Sequence, residues 1–115
     1  MKFAELQIKR CAEVAGNVVM VDLRGEDTLY TVNRFLVYAL FPECDISVHM
    51  TNLPDRGLVE VAVGKSILDR SNKANVGSLL LKYGGGGHAA VGTCQVEPDH
   101  ADRVAKEIVA AVRGE

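Results

Sequence analysis

Apolar and polar positions alternate along several stretches of the chain, and each alternation predicts a strand. Residues 6–14 show period-two character, Gly16-Asn17 interrupts them, and the β-branched run Val18-Val19-Met20-Val21-Asp22-Leu23 follows, a pattern that fits a β-hairpin. A helix over residues 3–15 competes with it, because Phe3, Leu6, Ala12 and Val14 also form a ragged helical stripe. Ile46 to Met50 and Leu58 to Val63 alternate like half-buried strands, with the Pro, Asp and Gly chemistry of a turn at residues 52–57 between them. Ala89 to Val96 reads as a further strand.

The spacing changes to a helical one in three places. Val32 to Phe41 is apolar nearly all round, with Thr31 as N-cap and Pro42 at its end, and predicts a deeply buried helix. Val76, Leu79, Leu80 and Tyr83 predict a helix over 75–83. Ala101, Val104, Ala105, Ile108, Ala111 and Val112 predict an amphipathic terminal helix, with Asp99 as its N-cap and Asp102 in its first turn. The sum is an α/β chain of α+β character: one mixed sheet of about five strands, helices on its faces, and a single domain over residues 1–115.

Length and composition narrow this further. The chain has 115 residues, of which 48% are hydrophobic and 24% charged, the balance of one globular domain. Thirteen Lys and Arg against fifteen Asp and Glu leave a net charge of −2, so contact with a polyanion must be local. The longest apolar run, Phe35 to Phe41, falls far short of the roughly 20 residues of a membrane span. With no secretory or lipidation pattern at either end, a cytoplasmic protein without membrane contact is expected. Cys11, Cys44 and Cys94 form an odd set without CxxC spacing, which argues against a disulfide framework and a zinc knuckle.

The run Gly84-Gly85-Gly86-Gly87 ahead of His88 is the strongest local anomaly. Each glycine costs about 0.5–1 kcal/mol relative to Ala, so four cost roughly 2–4 kcal/mol against a total stability of about 5–15. A helix C-cap would account for Gly84 alone. The others fit either a bare loop whose N–H groups reach a phosphate, carboxylate or base, with His88 as an adjacent donor, or a flexible or tightly packed connector. From spacing alone these stand level. The run is neither a Walker loop nor a dinucleotide fingerprint: no Lys-Ser or Lys-Thr follows it, and it stands after a helix and before a strand. At the negative end of the preceding helix dipole an anion gains nothing, so charge must come from Arg70, Lys73 or Lys82. His49 fits a packed or half-exposed histidine, and Asp22, Glu26 and Asp27 a charged turn. No metal-ligand cluster and no nucleophile with a base are expected in this chain.

Gly85-Gly86-Gly87-His88 resembles the GGGH signature of the DHH-associated domain, the C-terminal domain of DHH phosphoesterases. The segments Gly64 to Ser71, Asn75-Val76-Gly77 and Gly92-Thr93-Cys94 extend the resemblance to the exopolyphosphatase-like and oligoribonuclease-like branch, over residues 5–112. Val91 is bulkier than the residue expected after the motif. The resemblance implies a substrate-binding module. Gly85, Gly86, Gly87 and His88, with Ser66 and Arg70, would contact a phosphorylated nucleotide, a short single-stranded nucleic acid or polyphosphate. Catalysis would lie in a separate DHH domain that holds manganese; this chain carries no Asp-His-His string and would bind no cofactor itself. The alternative is a stand-alone interaction or regulatory domain, and a homodimer stays open under either reading.

Overall fold

A computed structural model of the chain describes residues 2–25, 34–53, 55–65, 75–88 and 91–113. The elements follow in the order α1 (Lys2–Cys11), β1 (Ala12–Ala15), β2 (Val18–Asp22), α2 (Arg34–Leu40), β3 (Ile46–Leu53), β4 (Leu58–Lys65), α3 (Val76–Leu81), β5 (Gly86–Gly87) and β6 (Val91–Val96), then a 3-10 turn (Pro98–His100) and α4 (Ala101–Val112). The strands form one mixed sheet in the order β1-β2-β3-β4-β6-β5. Every neighbouring pair is antiparallel except β2 and β3, which run parallel with α2 in the chain between them. The sheet has one strand more than the pattern of residues suggests, because the short β5 is cut from the glycine run itself.

The first element departs from the preferred sequence reading. Residues 2–11 are helical, and the hairpin is built from Ala12–Ala15 and Val18–Asp22 around Gly16-Asn17, with Gly16 at φ +63°. The period-two pattern of residues 6–14 loses to the helix formers Glu5, Leu6, Gln7, Lys9 and Arg10. The acid lies in the first turn and the bases in the last, as the helix dipole favours. Gln7 and Ile8 are buried and Leu6 is exposed, so α1 packs through one side.

Both faces of the sheet follow from strand alternation. One carries Ile46, Val48, Met50, Val59, Val61, Val63 and Cys94 against Val76 and Leu80 of α3 and Ala101, Val104, Ala105, Ile108 and Val112 of α4. The other carries Val19 and Val21 against Ile8 of α1, Val37 of α2 and Cys44. The helix over 34–40 is less uniformly buried than its composition suggests: Val37 and Tyr38 are buried, whereas Ala39 faces solvent. Thr31 lies outside the described residues.

Asp99 does not cap the terminal helix. It lies within the 3-10 turn, and neither Glu97 at the start of that turn nor His100 at the start of α4 makes a side-chain cap bond. Pro98 starts the tighter turn one step earlier, and the dipole is met instead by Asp102. Arg24 holds Asp102 at 2.6 Å while its Nε and Nη2 grip both carboxylate oxygens of Asp22 at 2.9 and 2.7 Å, which ties the end of β2 to the start of α4.

Candidate functional site

Asn75 starts α3 by accepting the Ser78 N–H on Oδ1 at 3.0 Å. The helix ends in a Schellman arrangement: Gly84 N–H donates to Leu81 C=O and Gly85 N–H to Leu80 C=O, with Gly84 at φ +78°. The chain then turns back along the helix as β5. Six helical residues rise about 9 Å, and three extended steps from Gly85 to His88 cover about 10 Å. His88 is thereby returned to the start of α3, where its carbonyl accepts the Gly77 N–H at 2.8 Å. The glycine run thus leaves the negative end of the helix dipole and finishes at the positive one, which the sequence reading did not foresee.

Close packing explains most of the glycines. A Cβ on Gly85 would lie 2.1 Å from the Thr93 carbonyl oxygen and 2.6 Å from Cys94 Cβ, and one on Gly87 would lie 2.3 Å from the Val91 oxygen. Gly77 carries the same constraint from the other side, since its Cβ would meet the Gly87 oxygen at 2.5 Å. Gly84 is fixed by the helix end. Gly86 is different, for the nearest atom to its Cβ would be Leu81 Cδ2 at 3.8 Å, an ordinary contact.

The hydrogen-bond register then shows which backbone groups face outward. His88 N–H donates to Val91 C=O at 2.7 Å, and Gly86 and Gly87 stand opposite Thr93 and Gly92. Bonded and non-bonded pairs alternate in an antiparallel ladder, so Gly86 is bonded to Thr93 and the N–H of Gly87 points away from the sheet. Gly87 and His88 are both exposed. The His88 backbone is held on both sides, by Val91 and by Gly77, while its imidazole stands at the surface. Tyr83, just before the run, anchors this end to α4 by donating to Glu107 at 2.9 Å. Burial is the main reason that its phenol is pushed above the ordinary value, with the Glu107 bond adding to the shift.

The sheet face that α1 and α2 cover over β2 and β3 continues across β4 and β6 with Glu60, Ala62 and Gly64 and with Val91, Thr93 and Gln95. Thr93 and Gln95 are exposed and Glu60, Ala62 and Val91 half-buried, so this half of the face is partly open, and the edge strand β5 borders it. Gln95 accepts from Arg56 at 3.1 Å.

Of the residues singled out in the sequence, Gly85, Gly86, Gly87 and His88 therefore come together as one edge. Ser66, Arg70 and Lys73 lie outside the described residues, and Lys82 is exposed beside the helix end. Among the described residues no three His, Cys, Asp or Glu side chains converge on a metal-sized site, and no helix is long and apolar enough to cross a membrane. Gly77, which positions His88, enters the sequence reading only within the resemblance and without a role of its own; its signal is a lone glycine in the first turn of a helical pattern.

No family model matches the chain, and no curated protein does. Among solved structures it is similar to the pGpG-specific phosphodiesterase PggH from Vibrio cholerae, at 47% identity and a TM-score of 0.93, over 98% of this chain and 38% of that one. An exopolyphosphatase-related protein from Bacteroides fragilis shares the fold at 13% identity and a TM-score of 0.68, over 92% of this chain and 33% of its own. The C-Ala domain of Aquifex aeolicus alanyl-tRNA synthetase shares it at 17% identity and a TM-score of 0.56, over 88% of this chain and 96% of its own. The chain thus spans little more than a third of the length of the phosphodiesterase it matches.

Proposed function

Because the chain belongs to the DHH-type phosphoesterases, as their DHH-associated domain, we propose that it binds pGpG or a similarly short phosphorylated oligonucleotide and orients it for hydrolysis by a separate DHH domain. The observation that carries this reading is the 47% identity to a pGpG-specific phosphodiesterase over nearly the whole chain. The outward N–H of Gly87 and the exposed imidazole of His88 supply two donors on a backbone already fixed by hydrogen bonds. Such donors stabilise a phosphate without having to reorganise when it arrives. Positive charge is assigned to Arg70, with Ser66 as a further donor. Manganese, which supplies the water-activating chemistry in this reading, belongs to the DHH domain. This chain contributes position: it holds one end of the substrate so that the scissile phosphate meets the catalytic half. The reading places the protein in the cytoplasm, where such nucleotides occur.

Titration of the chain with pGpG, followed by amide and imidazole NMR signals, tests it. The expected result is saturable movement of the Gly86, Gly87 and His88 signals, with no cleavage of pGpG when manganese is added. Signals that stay in place at millimolar pGpG would overturn the reading and favour a protein-interaction domain. Cleavage by this chain alone would overturn the division of labour.

A further inference from the structure

The sheet is not flat where its covered half meets the open one, between β3 and β6. Ser47, His49, Ala62, Val63, Gly64 and Val91 line a hollow of about 160 Å³ on it. Its origin lies in the alternation of β4, where Val61 and Val63 turn into the core while Ala62 and Gly64 present almost nothing to the other face. Ser47 stands opposite Gly64 and His49 opposite Ala62, so two strands leave adjacent small positions under one imidazole. Two of the lining residues are fixed by the buried Tyr38, whose hydroxyl donates to the Gly64 carbonyl at 2.8 Å and lies 3.1 Å from Ser47 Oγ.

We infer that this hollow receives one purine base of the substrate whose phosphate lies at Gly87 and His88, an inference that rests on the function proposed above. Size and chemistry select this class of ligand. A pocket for a whole drug-sized molecule measures roughly 300–1,000 Å³, so 160 Å³ suits a single ring system. Among the described residues the lining holds no Lys or Arg, and small apolar groups beside an imidazole suit a flat heteroaromatic ring with a hydrogen-bonding edge. Position agrees. Val91, which borders the hollow, is the residue whose carbonyl accepts the His88 N–H. With strands about 4.8 Å apart, the hollow over β4 lies about 10 Å from β5, within the reach of a dinucleotide.

The test compares pGpG with ribose 5-phosphate, which lacks a base, on the wild-type chain and on Ala62→Leu, whose added side chain would fill the hollow. The expected result is a loss of pGpG affinity of roughly ten-fold or more with ribose 5-phosphate binding unchanged. Wild-type protein saturated with pGpG should also show nuclear Overhauser contacts between the base H8 proton and the Val91 and Ala62 methyls, a readout independent of whether the variant folds. If pGpG still moves Gly87 and His88 but those contacts are missing, or if folded Ala62→Leu binds pGpG as before, the hollow is not a base site and only this inference falls. If wild-type protein binds no pGpG, the proposed function falls with it.

Discussion

Gly77 and His88 hold each other in place: the Gly77 N–H donates to the His88 carbonyl at 2.8 Å, and a Cβ on Gly77 would lie 2.8 Å from that same oxygen and 2.5 Å from the oxygen of Gly87. The start of α3 and the end of the glycine run thus approach more closely than a side chain permits. Gly77→Ala must push them apart. Overpacking of this kind costs about 1–3 kcal/mol, which urea denaturation would measure as a lowered midpoint at unchanged slope. The amide of His88 should exchange with solvent faster in the variant, since its neighbouring clamp is displaced.

The four glycines should respond unequally to alanine. Gly85→Ala meets the Thr93 and Cys94 backbone, which cannot swing away, and Gly87→Ala meets Val91 at a φ of +149° that side chains avoid. Both variants are expected to lose at least about 1–3 kcal/mol. Gly86→Ala meets nothing tighter than 3.8 Å. It should keep or raise stability by up to about 1 kcal/mol through a less flexible unfolded chain. Its binding therefore reports on the ligand alone. A stable Gly86→Ala protein with weakened pGpG binding is the expected result, and unaltered binding would mean that the ligand does not approach this strand.

His88→Ala removes an exposed side chain whose backbone is held independently, so thermal stability should change within about 0.5 kcal/mol. Affinity for pGpG should fall by about 1–3 kcal/mol, the range of a hydrogen bond to a charged group. Parallel calorimetric titrations and melting curves separate the two effects.

The parts legible in sequence are those whose pattern is long or chemically marked. Five buried positions of α4 recur at helical steps, and β4 alternates cleanly, so both are visible in order alone. Residues 6–14 are ambiguous because so short a stretch satisfies both periods; Ile8 is buried in one cluster with Val37, 29 positions away, and no local pattern carries that. The glycine edge was found from composition, but its reason was only half visible. Gly85 and Gly87 are bare because β6 and Gly77 crowd them, and such crowding has no signature within the run itself. The hollow under His49 was hidden in the same way, since it exists only when Ser47, Ala62 and Gly64 are placed side by side by strand register.

Acid should act through Asp22. The Arg24 guanidinium, by its side-chain hydrogen bond first of all, holds the Asp22 carboxyl below its ordinary 3.8. The unfolded chain therefore takes up this proton first as pH falls. The stabilisation is complete above pH 3.8 and is lost on descent toward the folded-state value. Urea midpoints at pH 6 and pH 3 should show Asp22→Asn clearly less stable than wild type at the higher pH and closer to it at the lower one. Equal gaps at the two values would mean that the Arg24 grip contributes nothing to folding.

Base should act through Cys94, which lies directly under Gly85 and is only 2% exposed. Burial pushes its thiol up to about 11 from an ordinary 9.0, with the Glu60 carboxylate adding to the shift. The neutral thiol is thus favoured in the folded chain, so its contribution is whole below pH 9 and drains away as pH rises toward 11. At 1.36 kcal/mol per unit the loss over that span is roughly 2–3 kcal/mol. Alkylation reads the same burial directly. At pH 8, Cys11, which is only half-buried, should be modified first, while Cys94 and the buried Cys44 resist until the chain unfolds. Because Gly85 packs directly on Cys94, Gly85→Ala should expose this thiol ahead of Cys44. Equal rates for the two would show that the glycine edge does not seal the sheet at that point.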